Sequence, residues 1–495
     1  MKIAFIYKGA ENLGIEHLSA FLKSKGHATE LYFDPAVFSS DVFINSQPLD
    51  RFFNIDGRIM NALREARPDI VAFSAYTGNY QWCLSWARRI KEACDVPVVF
   101  GGIHTTAVPE KVLENDCVDY VIRGEGEYAF YELLEHLDNK RPAEELKKND
   151  NLGFKLDGQI IINPLRSYIQ DLDALPFPDK ELFFHAEPVL RYNPYLIMSS
   201  RGCPYGCSYC CNNLLHELYR GKGSFVRRRS VAHVMAELVE AQMKYRIRSV
   251  CFADDIFVMH PSWLEDFMSL YRARIGLPFY CNIHPMAFNE KIAHLLKDNG
   301  CCLVFLGVQS GSERVRKEVF LHNETNDHII KAVACLKKMR IPFDVDNIFG
   351  APGETEEDLK QSYELYRSIR PNMMQSFWLT YYPGTHIVAL AQERGLLSQD
   401  DVENIKEGKI GFTHDTGCVE KSCIALYKKY ELLFELMTVL PGRLVPLTEK
   451  LISFLPFKKF FSMLVFTFTG FIYFRDWILN KFRYAFFSYK DLKIK

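Results

Sequence analysis

The sequence lacks an excess of charge of either sign, a membrane-length apolar run and an apolar leader. Its 495 residues carry 60 Lys and Arg against 61 Asp and Glu, so no overall electrostatic field attracts nucleic acid. The most apolar stretch, residues 460–474, is shorter than the ~20 residues that cross a bilayer. The first residues, MKIAFIYKG, have the pattern of a strand rather than of a signal peptide.

We therefore expect a cytoplasmic protein without a nucleic-acid partner. Two alternatives stay open for residues 460–474, which are flanked by cations. They form either a buried terminal helix or a peripheral contact with a membrane surface.

The order of strand and helix patterns predicts an α/β protein with four regions. Residues 1–140 alternate strands and helices, which predicts a Rossmann-like open parallel sheet with helices on both faces. Residues 141–190 contain two prolines close together and are expected to form a linker across the surface. Residues 191–395 hold six strand–helix units, which predicts a partial (β/α)6 barrel of the TIM type. Residues 396–495 have a helical, aromatic-rich pattern.

The 14 cysteines are spread over a long chain, which fits a reduced compartment better than a disulfide scaffold. Four of them fall in one stretch, RGCPYGCSYCCNN, at Cys203, Cys207, Cys210 and Cys211. Iron–sulfur clusters are usually held by four thiolates. The spacing C-x3-C-x2-C fits the paired cysteines of zinc sites poorly. Adjacent side chains in an extended chain point apart, so Cys210 and Cys211 leave two alternatives open: a site with four ligands, or a site with three ligands and a gap.

Polar residues follow the later strands of the predicted barrel, at the carboxyl ends where such barrels carry their chemistry. Each of these residues either binds a ligand or caps its strand end, and the pattern alone leaves both open. The set comprises Asp254 and Asp255 after the second strand, Gln309, Ser310, Ser312 and Glu313 after the fourth, and Asn347 and Gly350 at the fifth.

The cysteine loop, with Tyr209 before its last ligand, resembles the motif of the radical S-adenosylmethionine (SAM) superfamily. The resemblance implies that Cys203, Cys207 and Cys210 hold a 4Fe–4S cluster and that SAM chelates the open iron. An electron from an external flavodoxin or ferredoxin would then cleave SAM to a deoxyadenosyl radical. Tyr209 and the strand-end residues given above would contact SAM, and Cys211 would pack behind the loop.

The first region resembles the cobalamin-binding domain that is fused to radical SAM barrels. The residues that carry this resemblance, and that would contact cobalamin, are Leu13, Gly14, Ser74, Tyr76, Thr77, Gly101, Gly102, His104, Gly124 and Glu125. The loop after the first strand, YKGAENLG, lacks the histidine that ligates cobalt in many such domains. We therefore predict that no histidine of this loop ligates cobalt.

The resemblance implies a cobalamin-dependent radical SAM methyltransferase that acts on an unactivated carbon of a small molecule. A radical cyclase or rearrangement enzyme of the same architecture, such as the anaerobic cyclase of chlorophyll synthesis, is the alternative. A methylthiotransferase acting on tRNA fits less well because the C-terminal region is aromatic rather than basic. The aromatic C-terminal region favours a lipid-like or tetrapyrrole-like substrate.

Overall fold

The computed structural model describes residues 1–36, 54–411 and 421–440, together with residue 444. Its first sheet has seven strands in the order β2-β1-β3-β4-β5-β6-β7. Strands β1 to β5 are parallel, and β6 and β7 are antiparallel. The strands are β1 Lys2–Lys8, β2 Ala28–Asp34, β3 Ile70–Ser74, β4 Val98–Gly101, β5 Tyr120–Ile122, β6 Leu152–Leu156 and β7 Gln159–Ile162.

Helices cover both faces of this sheet, because its strands bury side chains on both sides. In β1, Ile3 and Phe5 belong to one core, and Ala4 and Ile6 belong to the core on the other face. The helices are α1 Leu13–Ser24, α2 Asp56–Ala66, α3 Tyr80–Ala93, α4 Ile103–Ala107, α5 Pro109–Leu113 and α6 Glu127–Asp138. The predicted open parallel sheet is confirmed.

The segment predicted as a surface linker, residues 141–190, is in large part integrated into the fold. It supplies β6 and β7, which extend the first sheet as an antiparallel hairpin. The hairpin turns at Asp157-Gly158, where both residues have positive φ. Asp-Gly between apolar alternations is a strong hairpin signal, and the linker prediction overlooked it.

The rest of the segment carries short 3-10 helices at Ala143–Lys148 and Leu172–Ala174, and the helix α7 Lys180–Ala186. Lys180 is fully buried, and its Nζ lies 2.8 Å from Glu11 Oε1 and 2.7 Å from Glu16 Oε2. An ammonium group at this depth requires such partners. This part of the segment is therefore anchored to the first domain.

The second sheet has six parallel strands in the order β8-β11-β12-β13-β14-β15, and it confirms the predicted partial barrel. Its strands are β8 Tyr195–Ile197, β11 Val250–Phe252, β12 Phe279–Ile283, β13 Cys301–Gln309, β14 Phe343–Phe349 and β15 Met373–Trp378. A separate two-stranded ribbon joins β9 Ser200–Arg201 to β10 Arg227–Arg228.

Helices form the outer layer of the barrel and continue beyond it. They are α8 Cys211–Leu218, α9 Val231–Tyr245, α10 Pro261–Arg274, α11 Glu290–Asp298, α12 Asn326–Lys338, α13 Glu356–Ile369, α14 His386–Glu393, α15 Gln399–Lys406 and α16 Lys421–Val439. Short 3-10 helices occur at Pro188–Tyr192 and Pro285–Ala287, and a π-helical turn occurs at Val315–Val319.

The helix α16 packs against α13 and β15 through Tyr427 and Phe434. No helix among the described residues is both long and apolar enough to cross a membrane. The apolar run at 460–474 lies outside the described residues, so its role stays a prediction.

Candidate active site

The cysteine loop connects β9 to α8 and is fixed by the backbone around it. Gly202 opens the loop with φ +89°, and an added Cβ would collide with the Phe225 carbonyl oxygen. Only glycine allows so close an approach. Farther along, the Ser208 N–H donates to the Phe320 carbonyl oxygen at 3.0 Å. Cys210 ends the loop as the N-cap residue of α8.

The thiols of Cys203, Cys207 and Cys210 lie close enough to influence one another. Burial, together with the charges of Asp255 and Cys210, raises the pKa of Cys203 to about 11. Burial also raises the pKa of Cys207, together with Cys210 and Cys203. No group of three or more His, Cys, Asp or Glu side chains in the described residues is arranged around a single ion. A cationic cluster binds cysteines as thiolates, which suits Cys203 and Cys207, because the neighbouring thiols raise the pKa of each in the absence of such a cation.

Cys211 begins α8 on the side of the loop that faces the first domain. Its thiol donates a hydrogen bond to the sulfur of Cys210, which lowers the pKa of Cys210 and raises that of Cys211. Cys211 also lines a crevice between the two domains. Cys211 therefore lies beside the first domain, and its role as a spare cysteine stays a prediction.

The two carboxylates after β11 have different surroundings. Asp254 is fully buried and accepts hydrogen bonds from the Ser199 N–H at 3.0 Å, from the Ser199 hydroxyl at 2.7 Å and from the Ser200 hydroxyl. Asp255 is exposed at the mouth of the barrel, where its Oδ2 accepts from Asn212 at 3.3 Å. The hydrogen bonds of Asp254 thus hold the backbone that leads into the cysteine loop. Asp255 is the carboxylate that can still accept a ligand.

The two serines after β13 are used inside the protein. Ser310 Oγ lies 3.3 Å from Ser362 Oγ, and the Ser312 hydroxyl donates to Asp358 Oδ1 at 2.6 Å. Both serines are fully buried. They attach the end of the strand to α13, which matches the capping alternative.

Gln309 and Glu313 also differ from each other. Gln309 ends β13 with φ +66°, and its Oε1 is buried without a hydrogen-bond partner among the described residues. Such a backbone conformation in a residue other than glycine often marks a functional position. Glu313 is exposed, and its Oε1 accepts from the Asn326 N–H at 2.6 Å, at the start of α12.

The fifth strand, β14, alternates between the helix layer and the barrel interior. Asn347 faces the helix layer, where its Oδ1 accepts from the Tyr366 hydroxyl at 2.8 Å. This contact lies on the opposite face from the one that a SAM contact requires. Gly350, with φ +84°, donates its N–H to Glu354 Oε2 at 2.9 Å.

Asp344, Asp346 and Ile348 occupy the interior face of the same strand, and no motif of the sequence marked them as site residues. Burial raises the pKa of Asp344 to about 8 and that of Asp346 to about 7. Asp344 Oδ2 accepts from Gln375 at 2.6 Å, and its Oδ1 is buried without a partner among the described residues. The alternation of FDVDNIF, with Phe and Val on the core side, was the signal that could have found them.

In the first domain, the loops after β3 and β4 hold each other through their backbones. The Ala75 N–H donates to the Gly101 carbonyl oxygen at 2.8 Å, and the His104 N–H donates to the Ala75 carbonyl oxygen at 3.1 Å. Gly102 has φ +97°, and an added Cβ would lie 2.5 Å from the Ala75 oxygen. The second glycine of the pair is therefore required by the protein's own backbone.

His104 is almost fully buried and packs against the ring of Tyr80, with 4.2 Å between the centroids. Its Nδ1 lies 3.1 Å from Thr77 Oγ1. Burial lowers the pKa of His104 to about 4, so the ring is neutral. Ser74, which ends β3, is half-buried, and Tyr76 in the loop that follows is exposed.

Gly124 and Glu125 connect the first domain to the barrel. Gly124 has φ +63°, and an added Cβ would collide with the Tyr219 hydroxyl. Glu125 Oε1 lies 2.9 Å from Arg201 Nη1 and 2.7 Å from Arg227 Nη1. Both residues therefore have protein partners, and their predicted contact with cobalamin stays a prediction.

Leu13 and Gly14 form the first turn of α1, which Asn12 caps by accepting from the Ile15 N–H at 3.0 Å. The neighbouring Glu11 is held by Lys180 at 2.8 Å. The loop after the first strand is thus shaped by contacts within the protein.

The two predicted sites meet at a narrow crevice between the domains. Its lining residues are Thr77, Ile103, His104 and Ala107 from the first domain and Cys211, Leu214, Tyr382, Pro383 and Thr385 from the barrel side. The strand ends of the first domain therefore face the flank of the cysteine loop. A ligand of an open parallel sheet binds beyond the strand ends, so the first domain would hold its cofactor on the side that faces this crevice.

Comparisons with known proteins agree with both halves of the structure. Residues 197–366 match the Radical SAM superfamily, and residues 5–134 match the B12 binding domain. An uncharacterized methyltransferase of Pyrococcus horikoshii is 31% identical over 68% of this chain and 72% of its own length. An anaerobic magnesium-protoporphyrin IX monomethyl ester cyclase of Rubrivivax gelatinosus is 23% identical over 77% of this chain and 68% of its own.

Among solved structures, the cobalamin-dependent SAM radical enzyme OxsB superposes with a TM-score of 0.68. The sequences are 15% identical, and the match covers 95% of this chain and 72% of that one. The shared fold includes both the parallel-sheet domain and the barrel. The chain belongs to the radical SAM enzymes that carry a B12-binding domain, whose cofactors are a 4Fe–4S cluster, SAM and cobalamin.

Proposed function

We propose that this enzyme transfers a methyl group to an unactivated carbon of a small molecule, with Cys203, Cys207 and Cys210 as the cluster ligands. The observation that carries this proposal is the position of the cysteine loop, whose flank lines the crevice facing the strand ends of the B12-binding domain. When bound, the cluster and SAM supply radical chemistry, and cobalamin supplies methyl-transfer chemistry.

For SAM, we assign Asp255 to the ammonium group, because it is exposed beside the loop and Asp254 is fully engaged. A carboxylate and an ammonium group form a charge-assisted hydrogen bond. Gln309 and Asp346 lie on neighbouring strands, β13 and β14, and face the barrel interior. Their oxygens suit the hydroxyl groups of a ribose.

For cobalamin, we assign the Thr77, Gly101–Gly102 and His104 edge of the first domain. His104 lines the crevice and is neutral. SAM and cobalamin would then lie on opposite sides of the crevice. The B12-binding domain would present cobalamin toward the barrel mouth, where SAM is bound.

For the acceptor, we propose a small molecule bound in the barrel interior and reduction of the cluster by a flavodoxin or ferredoxin. The interior face of β14 and β15 also offers Asp344 and Gln375, which suits a substrate with hydrogen-bond donors. A lipid-like or tetrapyrrole-like acceptor and a peripheral membrane contact through the C-terminal region would rest on residues outside the described part of the chain.

The proposal is tested by anaerobic reconstitution, with iron and sulfide content, cobalamin absorbance and deoxyadenosine release from SAM as measurements. Cys→Ser substitution at position 203, 207 or 210 is expected to abolish cluster content and deoxyadenosine release. Cys211→Ser is the matched control in the same loop and is expected to retain both. Loss of the cluster in the Cys211 variant would refute the ligand assignment.

The alternative is a radical cyclase, which the similarity to the magnesium-protoporphyrin ester cyclase supports. Formation of S-adenosylhomocysteine by the reduced, cobalamin-loaded enzyme separates the two functions. A methyltransferase produces it from the SAM that donates the methyl group, whereas a cyclase converts SAM only to deoxyadenosine and methionine.

A further inference from the structure

A histidine from a distant part of the chain contacts one of the proposed cluster ligands. His322 Nε2 lies 2.8 Å from Cys207 Sγ and 3.3 Å from the Tyr209 hydroxyl. His322 is buried, with 6% of its surface exposed. It lies between the π-helical turn at Val315–Val319 and α12.

A buried carboxylate holds the other side of the imidazole. His322 Nδ1 lies 2.6 Å from Glu324 Oε1, and Glu324 is 3% exposed. The second carboxylate oxygen lies 3.7 Å from His284 Nε2. The ring of His284 stacks on Tyr205, which stands between the first two cysteines, with 4.1 Å between the centroids and 15° between the planes.

A fully buried arginine, Arg316, fixes the segment that carries His322 and Glu324. Arg316 donates to the Glu324 carbonyl oxygen at 3.3 Å and to Asn326 Oδ1 at 2.6 Å. It also donates to the Ser310 carbonyl oxygen. The histidine and its carboxylate are therefore held in place by the barrel rather than by a free loop.

We propose that His322 donates its Nε2–H to the sulfur of Cys207 and thereby raises the reduction potential of the cluster, with Glu324 as the positioning residue. This inference rests on the proposed function, because it requires Cys207 to be a cluster ligand.

The chemistry of the contact requires this direction of donation. A cluster-bound cysteine sulfur carries no proton, so the hydrogen between sulfur and nitrogen belongs to Nε2. Hydrogen bonds to cluster sulfurs are one of the factors that set cluster potentials. A carboxylate on the far nitrogen of a histidine fixes its orientation, as in the outer shells of metal sites. An N–H dipole aimed at the sulfur stabilises the extra electron of the reduced cluster.

The test compares midpoint potentials of the reconstituted cluster, measured by EPR-monitored redox titration in the wild type and four variants. His322→Leu is expected to keep full iron and sulfide content and to make reduction at least about tenfold less favourable, which is ~59 mV for a one-electron couple. Glu324→Asp, which keeps the negative charge but withdraws the carboxylate from Nδ1, is expected to shift the potential in the same direction by less. His322→Gln, which retains an N–H donor, is expected to recover part of the loss.

His216→Gln is the matched control, because the His216 Nε2 lies 2.8 Å from the Cys203 backbone oxygen rather than from a sulfur. Its midpoint potential is expected to equal that of the wild type. Equal potentials in the wild type and His322→Leu, with intact clusters, would overturn the inference and leave the proposed function standing. Iron loss in both His322 variants, at an unchanged melting temperature of the apoprotein, would identify a ligand and also overturn it. A wild type that assembles no cluster would refute the proposed function itself.

Discussion

The barrel mouth and the strand ends of the first domain both carry polar residues that the sequence singled out, but the protein uses them differently. At the barrel mouth, some of these side chains are saturated by internal hydrogen bonds, as in Asp254 and Ser312. Others, such as Asp255 and Gln309, keep free acceptor capacity. In the first domain, the second glycine of the pair, Gly102, is used for backbone packing.

Some of these residues hold the protein backbone of the site in place, whereas others are available to bind a ligand. A buried polar group needs its partners, and removing one is costly. A side chain with free acceptor capacity at the mouth has little influence on folding, so its substitution acts on ligand affinity. The comparison therefore predicts which variants change stability and which change binding.

The largest effect is expected at the glycine pair of the first domain. Gly102→Ala places a side chain at φ +97° and 2.5 Å from the Ala75 carbonyl oxygen. Backbone strain and overpacking together are expected to lower the free energy of unfolding by about 3 kcal/mol or more. Chemical denaturation of the apoprotein measures this change.

Gly101→Ala is the matched control, because the nearest atom to its added Cβ is 3.8 Å away. We expect a change in stability below about 1 kcal/mol. If Gly101→Ala keeps its stability but loses cobalamin absorbance, the close approach of cobalamin to this edge is supported. If Gly102→Ala is as stable as the wild type, the packing role of this glycine is contradicted.

A smaller effect is expected at the two carboxylates after β11. Asp254→Asn loses acceptor capacity for two serines, which is expected to lower the free energy of unfolding by about 1–3 kcal/mol. Asp255→Asn is expected to leave the melting temperature unchanged and to weaken SAM binding about tenfold, the loss of one charge-assisted contact. Calorimetric titration with SAM and thermal melting separate the two. SAM affinity that is unchanged in Asp255→Asn would contradict its assignment.

The smallest effect is expected from Asp344 in the barrel interior, through pH. Because burial raises its pKa to about 8, the folded state keeps a proton that the unfolded state releases above about pH 4. The contribution of this group to stability therefore falls as pH rises from about 4 to about 8. Asp344→Asn removes this decline, so the free energy of unfolding of the variant is expected to depend less on pH than that of the wild type. Denaturation curves at pH 5 and pH 8 measure this pH dependence. An equal pH dependence in the wild type and Asp344→Asn would contradict the raised pKa of Asp344.

Much of the fold was predictable from local patterns. Six strand–helix units in the barrel and the parallel first sheet both follow from alternation along the chain. The hairpin at Asp157-Gly158 was predictable too, since its turn signal is local. Its membership of the first sheet was not, because pairing of β6 with β5 joins segments about thirty residues apart.

The sequence predicts which kinds of residue lie at the strand ends of the candidate site. It does not predict the role of each individual residue there. Asn347 and Asp346 are neighbours in sequence, yet one faces the helix layer and the other the barrel interior. A shift of one residue along a strand reverses the face. The assignment of Asn347 to SAM therefore depended on a register that the motif alone does not give.

By itself, the sequence determined the three-cysteine spacing, the two-domain order and the absence of a charge excess, because these are properties of neighbouring residues and of composition. Only the tertiary structure decided that Asp255 rather than Asp254 is open, that Cys211 faces the first domain, and that His322 reaches Cys207. The last pair is 115 residues apart in the chain. Contacts at such separations form when the barrel strands assemble side by side, and no local pattern records them.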